Sequence, residues 1–323
     1  TLIAAYPPNE YEAWSYDHRR FQKWGNEGIV ATCVFEKPDT GNFRVLLDSG
    51  FDLCQTPLVE FHAGRGRMVF CQLDVTDRCG TDPVATLLFR RLLEEGLQDH
   101  PPCTGQLAVL PGPAVSAAFE EIPAALREVK APAELGGVAA VALDASQEPA
   151  PLLREAVLAH ARAGGTVLLL CRAGTEPRLG WLPFPVAVQE RSLWRAVVRQ
   201  PGGLLSGLSN ADFFWRTPVS FKIFSDLPAA AGVPLEPAIL AVVSLDRGRL
   251  ILLPAWAKSD VPPDRTLRRA GAKRARFYCT LLTHLGVAVA GAPDLAKPLS
   301  REGGFFSRTP QTSDFDPDYH VQW

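Results

Sequence analysis

The chain lacks most features that place a protein in a specialised class. Lys and Arg number 33 against 35 Asp and Glu, leaving a formal net charge of -2. With no positive excess to gather a phosphate polyanion, nucleic acid is excluded as an expected partner. The longest apolar runs, such as Val138 to Leu143 and Thr166 to Cys171, fall far below the roughly 20 residues needed to cross a bilayer, so no membrane span is expected. The cysteines at 33, 54, 71, 79, 103, 171 and 279 form no CxxC pair, and the histidines show no HxH or HxxxH spacing. The residues therefore predict buried free thiols, no metal site and no cofactor. Methionine occurs once, at Met68, and position 1 is Thr with no basic-then-apolar leader behind it. The chain reads as an internal piece of a longer one, which leaves the compartment open, secretion or a periplasmic address included.

What is present is ordinary globular material. The 323 residues are 47% hydrophobic and 21% charged, enough for two domains with sizeable cores. A weak internal repeat organises them. Pro57-Leu-Val-Glu-Phe61 leads through Ala63-Gly-Arg-Gly-Arg67 into Met68-Val-Phe-Cys71, and Asp82-Pro-Val-Ala85 opens an apolar run that stops at Gly96. Pro237 to Val243 leads through Asp246-Arg-Gly-Arg249 into Leu250-Ile-Leu-Leu253, and a later run stops at Gly286. The second copy is longer, the extra residues falling around Val261-Pro-Pro-Asp264. Each copy predicts a hairpin whose turn Gly supplies positive φ, then a helix. Asp82 and Pro83 open the first helix, and Gly96 and Gly286 stand at left-handed C-terminal positions. Arg268, Arg269, Lys273, Arg274 and Arg276 read as a solvated face of the second helix.

Between the copies the pattern changes to Leu107–Leu110, a helical stretch to about Val129, Val138–Asp144, a helix from Pro151 to Ala163, and Thr166–Cys171. Continuously apolar strands of this kind predict a βαβαβ unit with both sheet faces covered. The expected fold class is α/β, a Rossmann-like or flavodoxin-like, mostly parallel sheet with helices on both faces and a terminal hairpin plus helix. It is expected as a tandem with the first copy truncated. The boundaries are 1–99 for the closing half of the first domain, 100–104 for a linker, 105–289 for a complete domain, and 290–323 for an extended tail.

Candidate chemistry is thin. Leu110-Pro-Gly-Pro113 sits where a phosphate loop would, but two prolines remove amide donors and neither GxGxxG nor a P-loop is present. Cys171 ends a parallel strand, where reactive groups are often placed, yet it lacks small neighbours for a nucleophile elbow and a His close by. No carboxylate pair stands out for glycoside hydrolysis; Asp144 and Asp74 follow strands singly, with surface or capping roles expected. The most distinctive string is Gly207-Leu-Ser-Asn-Ala-Asp-Phe-Phe-Trp-Arg216, with a similar mix at Tyr16 to Trp24. Asp212, Trp215, Arg216 and Trp24 are thus the candidate sugar-contacting residues, by aromatic stacking and hydrogen bonding. The plainer alternative makes Trp215 and Trp24 core plugs and pairs Asp212 with Arg216 or the backbone.

Gly64-Arg-Gly-Arg-Met-Val-Phe-Cys-Gln-Leu-Asp74, Asp82-Pro-Val-Ala85, Ala163-Gly-Gly-Thr-Val-Leu-Leu-Leu170 and Gly207 to Arg216 resemble class I glutamine amidotransferase-like domains inside large bacterial glycoside hydrolases. The nearest are those related to glycoside hydrolase family 2 and to the trimerisation domain of β-galactosidases. The resemblance covers most of residues 1–289 and implies a fold that has lost the Cys-His-Glu triad. Where an amidotransferase carries His-Pro-Glu, this chain has Gln72-Leu-Asp74 and Pro254-Ala-Trp256. It implies non-catalytic scaffold or assembly domains with no catalytic residues of their own, whose partners are other domains of the parent chain, a second copy, or carbohydrate. The alternatives are a Cys171-dependent α/β hydrolase or amidotransferase, and a sugar-binding module.

Overall fold

The computed structural model describes residues 31, 34–38, 40–49, 55–63, 66–96, 103–200, 203–260 and 270–290. The chain divides into two compact units, one of Thr1–Pro38, Phe43–Pro102 and Ala292–Trp323, the other of Asp39–Asn42 and Cys103–Gly291.

The first unit holds strands β1 (Phe35–Glu36), β2 (Phe43–Ser49), β3 (Gln55–Ala63) and β4 (Gly66–Cys71), then helix α1 (Pro83–Gly96). All pairings are antiparallel: β2 lies along one edge of β3, and β1 and β4 along the other. Glu60 is buried on β3 and accepts Arg44 at 2.9 Å and Arg67 at 3.0 Å from the flanking strands, so its charge is balanced by strand register. Asp82 opens α1 by accepting the Val84 and Ala85 amides at 2.7 and 3.0 Å, the expected cap. Ala85 packs with Leu73 and Val75 in a small core joined by Leu88, Phe89 and Leu92. Gly96 is the last residue of α1 and is not left-handed, a correction to the expected cap.

The second unit runs β5 (Leu107–Val109), α2 (Pro113–Phe119), β6 (Leu126–Glu128), β7 (Ala140–Asp144), α3 (Pro151–Arg162), β8 (Thr166–Cys171), β9 (Ala187–Arg195), β10 (Val197–Val198), β11 (Phe214–Ser225), β12 (Leu235–Glu236), β13 (Ala241–Leu245), β14 (Gly248–Pro254) and α4 (Ala270–His284). Six strands form a mostly parallel sheet in the order β13-β14-β8-β7-β5-β6, with β13 alone antiparallel. Its apolar residues alternate between two covered faces. Ala108, Val141, Leu143, Val167, Leu169, Leu250 and Leu252 pack with Val157 and Ala161 of α3. Leu107, Ala140, Ala142, Leu168, Leu170 and Ile251 are buried on the other face, where α2 packs on β7 and β8. β9 and β11 form a separate antiparallel ribbon.

Two further expectations are corrected. The helix after β5 does not reach Val129: it stops at Phe119, Glu121 takes a φ of 60°, and β6 forms beyond Pro123. Proline and a left-handed residue break the helix before its apolar pattern ends. In the β13–β14 turn the positive φ falls on Asp246, at 50°. Gly248 serves close approach instead, since a Cβ there would stand 2.1 Å from the Ala161 carbonyl oxygen and 2.3 Å from that of Gly165.

Candidate functional site

In an open, mostly parallel sheet, ligands bind beyond the carboxyl ends of the strands where the connections reverse direction. Here β5 connects outward to β6 and the chain then returns to β7 on its other side, so the crevice belongs to the ends of β5 and β7. Asp144 fills it. This buried carboxylate accepts the Ala114 amide of α2 at 2.8 Å through Oδ2, and the Ser146 amide and hydroxyl at 2.8 and 2.6 Å through Oδ1. Gly112 is required beside it, because a Cβ there would meet the Asp144 Cβ at 2.6 Å. The amide a phosphate would need is already bonded, and the flanking Pro111 and Pro113 supply none.

Cys171 ends β8 and is 2% exposed. Burial first, and the Asp144 charge second, push its thiol up to about 12, so it is protonated at neutral pH. His160 lies at the opposite end of β8, its ring against Gly165, about 20 Å away over six strand residues. His284 bonds the Ser206 carbonyl at 2.8 Å. Among the described residues no histidine is placed to activate Cys171.

Where the resemblance puts Pro254-Ala-Trp256, the structure has a packed aromatic cluster. Tyr278 donates to the Pro254 carbonyl at 2.9 Å and accepts the Trp256 amide at 3.2 Å. Burial first holds its hydroxyl well above the ordinary tyrosine value. Trp256 packs against Phe277 at 5.2 Å, Phe221 at 5.1 Å and Trp215 at 6.2 Å. Of the residues singled out from the sequence, Trp215 is 3% exposed and packs with its ring tilted at 4.8 Å from Phe221, so its ring lies inside the unit; a sugar platform needs an exposed face. Asp212 is buried too, accepting the Ser209 amide at 2.9 Å and Arg276 at 2.5 Å. Trp24 and the side chain of Arg216 lie outside the described residues.

The basic run of α4 is only partly a solvated face. Arg274 is buried and donates to the Ala117, Ala118 and Glu120 carbonyls at 3.2, 3.0 and 2.7 Å, closing the C-terminus of α2. Arg276 pairs with Asp212, and Lys273 reaches the Phe214 carbonyl at 2.7 Å. Periodicity could not single these out, because each partner lies far away in sequence.

One groove of about 590 Å³ opens after β8, lined by residues of the 176–188 segment including Glu176, Leu179, Phe184 and Val188. Next to it Glu190 accepts the Gly174 amide at 2.8 Å and pairs with the buried Lys222 at 2.9 Å. These two donors, the amide foremost, hold its carboxyl below the ordinary range.

No family model matches the chain, and no curated protein does. Among solved structures the neighbours include β-galactosidase domains, a glutamine amidotransferase and a ThuA-like protein, all at low similarity. A β-galactosidase from Bacillus circulans sp. alkalophilus is 14% identical with a TM-score of 0.38, over 65% of this chain and 36% of that one. A cytoplasmic protein of Salmonella typhimurium LT2 is 11% identical with a TM-score of 0.38, over 55% of this chain and 98% of its own. A putative ThuA-like protein from Bacteroides uniformis is 11% identical with a TM-score of 0.34, over 55% of this chain and 91% of its own. Likenesses this slight assign neither a fold family nor a function.

Proposed function

We propose that the chain is an assembly module of a larger carbohydrate-active hydrolase. It would comprise two Rossmann-like or flavodoxin-like, amidotransferase-type domains in tandem, one within residues 105–289 and the closing half of another within 1–99. Its work is scaffolding and contact between domains or subunits, with glycosidic carboxylates residing elsewhere in the parent. The sequence strings that resemble such domains support this, and one structural observation carries it: among the described residues strand β4 pairs on one edge only and its apolar side chains are exposed.

β4 and β14 both open on Gly-Arg and both follow an antiparallel strand. Leu250 to Leu253 are fully buried, with β8 lying parallel along the second edge of β14. Met68, Val69 and Phe70 at the matching places are 48%, 38% and 36% exposed, and among the described residues β4 pairs only with β3. Val84, Leu87 and Leu93 of α1 are exposed as well. An apolar strand edge left unpaired among the described residues favours association. The occupant this reading assigns is a parallel aliphatic strand of the β8 kind with its preceding helix.

Sedimentation velocity of the full chain over a concentration series tests it. The wild type should self-associate through this surface, and Met68→Glu should shift it toward monomer without lowering the melting temperature. A wild type that stays monomeric, with β4 amides protected from exchange, would overturn the reading.

A further inference from the structure

The largest exposed aromatic among the described residues is Trp194, 57% exposed on β9. Its position follows from an irregularity in the ribbon. Leu193 pairs with Val219 and Arg195 with Phe214, so Trp194 alone stands opposite the four residues Trp215 to Pro218. Pro218 has no amide to donate, the ladder breaks there, and a bulge of this kind re-aims side chains. Trp215 turns into the core while Trp194 faces solvent.

Residues two apart on a strand share a face, so Trp194, Ser192, Glu190 and Val188 form one row. Across the ribbon Ser220 and Lys222 stand opposite Ser192 and Glu190. The two serine hydroxyls are exposed and 3.0 Å apart, and the Glu190–Lys222 pair follows at 2.9 Å. The row ends at Val188, which lines the groove of about 590 Å³. From Trp194 to Val188 it spans about 20 Å.

We propose that this face of the β9–β11 ribbon is a binding strip for a linear, neutral oligosaccharide, with Trp194 as the stacking platform. The ring presents an apolar face to the C–H side of a pyranose. Ser192, Ser220 and Glu190 offer donors and acceptors to its hydroxyls at the next positions, and the groove receives the following unit. The surroundings of the ring discriminate against a protein partner: its neighbours in the row are hydroxyls and a charged pair, whereas a protein-docking centre is apolar and depleted of charge. The strip belongs to the second unit and β4 to the first, and the two readings rest on different residues, so failure of this one would leave the assembly reading untouched.

The test is titration of the full chain with cello-, manno-, xylo- and galacto-hexaose to about 10 mM, followed by tryptophan emission and calorimetry. At least one should bind. Trp194→Ala should weaken that binding about tenfold with an unchanged melting temperature, and Trp194→Phe should retain most of it. Ser192→Ala combined with Ser220→Ala should weaken it severalfold. The proposal is overturned if no hexaose binds, if binding ignores Trp194, or if Trp194→Ala alters only self-association.

Discussion

Asp212 and Arg276 stand 64 residues apart in the chain and meet as a 2.5 Å ion pair whose side chains are 2% and 6% exposed. The pair ties the short 3-10 turn Asn210–Phe213, just ahead of β11, to the middle of α4. Replacing both partners of such a pair by apolar residues is often neutral, but losing one partner strands a charge in the core.

Arg276→Met alone should therefore cost about 3–5 kcal/mol. The double variant Asp212→Leu, Arg276→Met should recover much of that loss. Urea unfolding of the three proteins measures both; a single variant as stable as wild type would show that the pair is solvated in solution.

Gly248→Ala should destabilise the second unit by about 1–3 kcal/mol or more, because the atoms its Cβ would strike, the Ala161 and Gly165 carbonyl oxygens at 2.1 and 2.3 Å, are backbone. Gly180→Ala meets nothing within 4 Å and should stay within about 0.5 kcal/mol of wild type. Equal melting temperatures for the two variants would contradict this packing.

Cys171 makes stability depend on alkaline pH. Its thiol is raised from 9.0 to about 12 in the folded state, so the unfolded chain loses the proton first and gains from doing so. The contribution is whole below pH 9 and falls by about 1.4 kcal/mol per pH unit toward pH 12. Tyr278, raised from 10.0, adds to the fall above pH 10. Cys171→Ala should flatten the earlier part of the decline in unfolding experiments from pH 8 to 11. In native protein at pH 8, iodoacetamide should modify the exposed Cys79 and spare Cys171. Rapid modification of Cys171 with loss of an amidase or esterase activity would instead favour a thiol-dependent enzyme.

Residues 103–291 expressed alone should unfold in one cooperative step, since the six-stranded sheet finds cover for both faces within that segment. Calorimetric and van't Hoff enthalpies that disagree would show that the unit needs more of the chain.

Local pattern carried much of the architecture. Thr166–Cys171 is a strand because six consecutive apolar or β-branched residues suit a position covered on both faces. Asp82 caps α1 because a carboxylate two and three residues ahead of free amides reaches them without long-range help. The two hairpins follow from strand-length runs on either side of a turn. What pattern could not supply was any relation between distant residues. The aliphatic spacing after β5 continued past Phe119, but the sheet edge claimed Leu126–Glu128 as a strand. Arg274 and Arg276 read as solvated until α2, more than 150 residues earlier in the chain for Arg274, and Asp212 were brought against them. Asp144 read as a surface or capping group, not as the buried carboxylate that fills the crevice between β5 and β7. The two tryptophans show the limit most plainly. Trp215 drew attention because aromatic residues surround it in sequence, and for the same reason it had neighbours to be buried with; Trp194, lying between Leu193 and Arg195, gave no such signal. Composition and period determined which segments form strands and helices, because those depend on neighbours a few residues away. Tertiary structure alone decided which charge is buried and which ring faces water, because burial is set by whatever the rest of the chain lays on top.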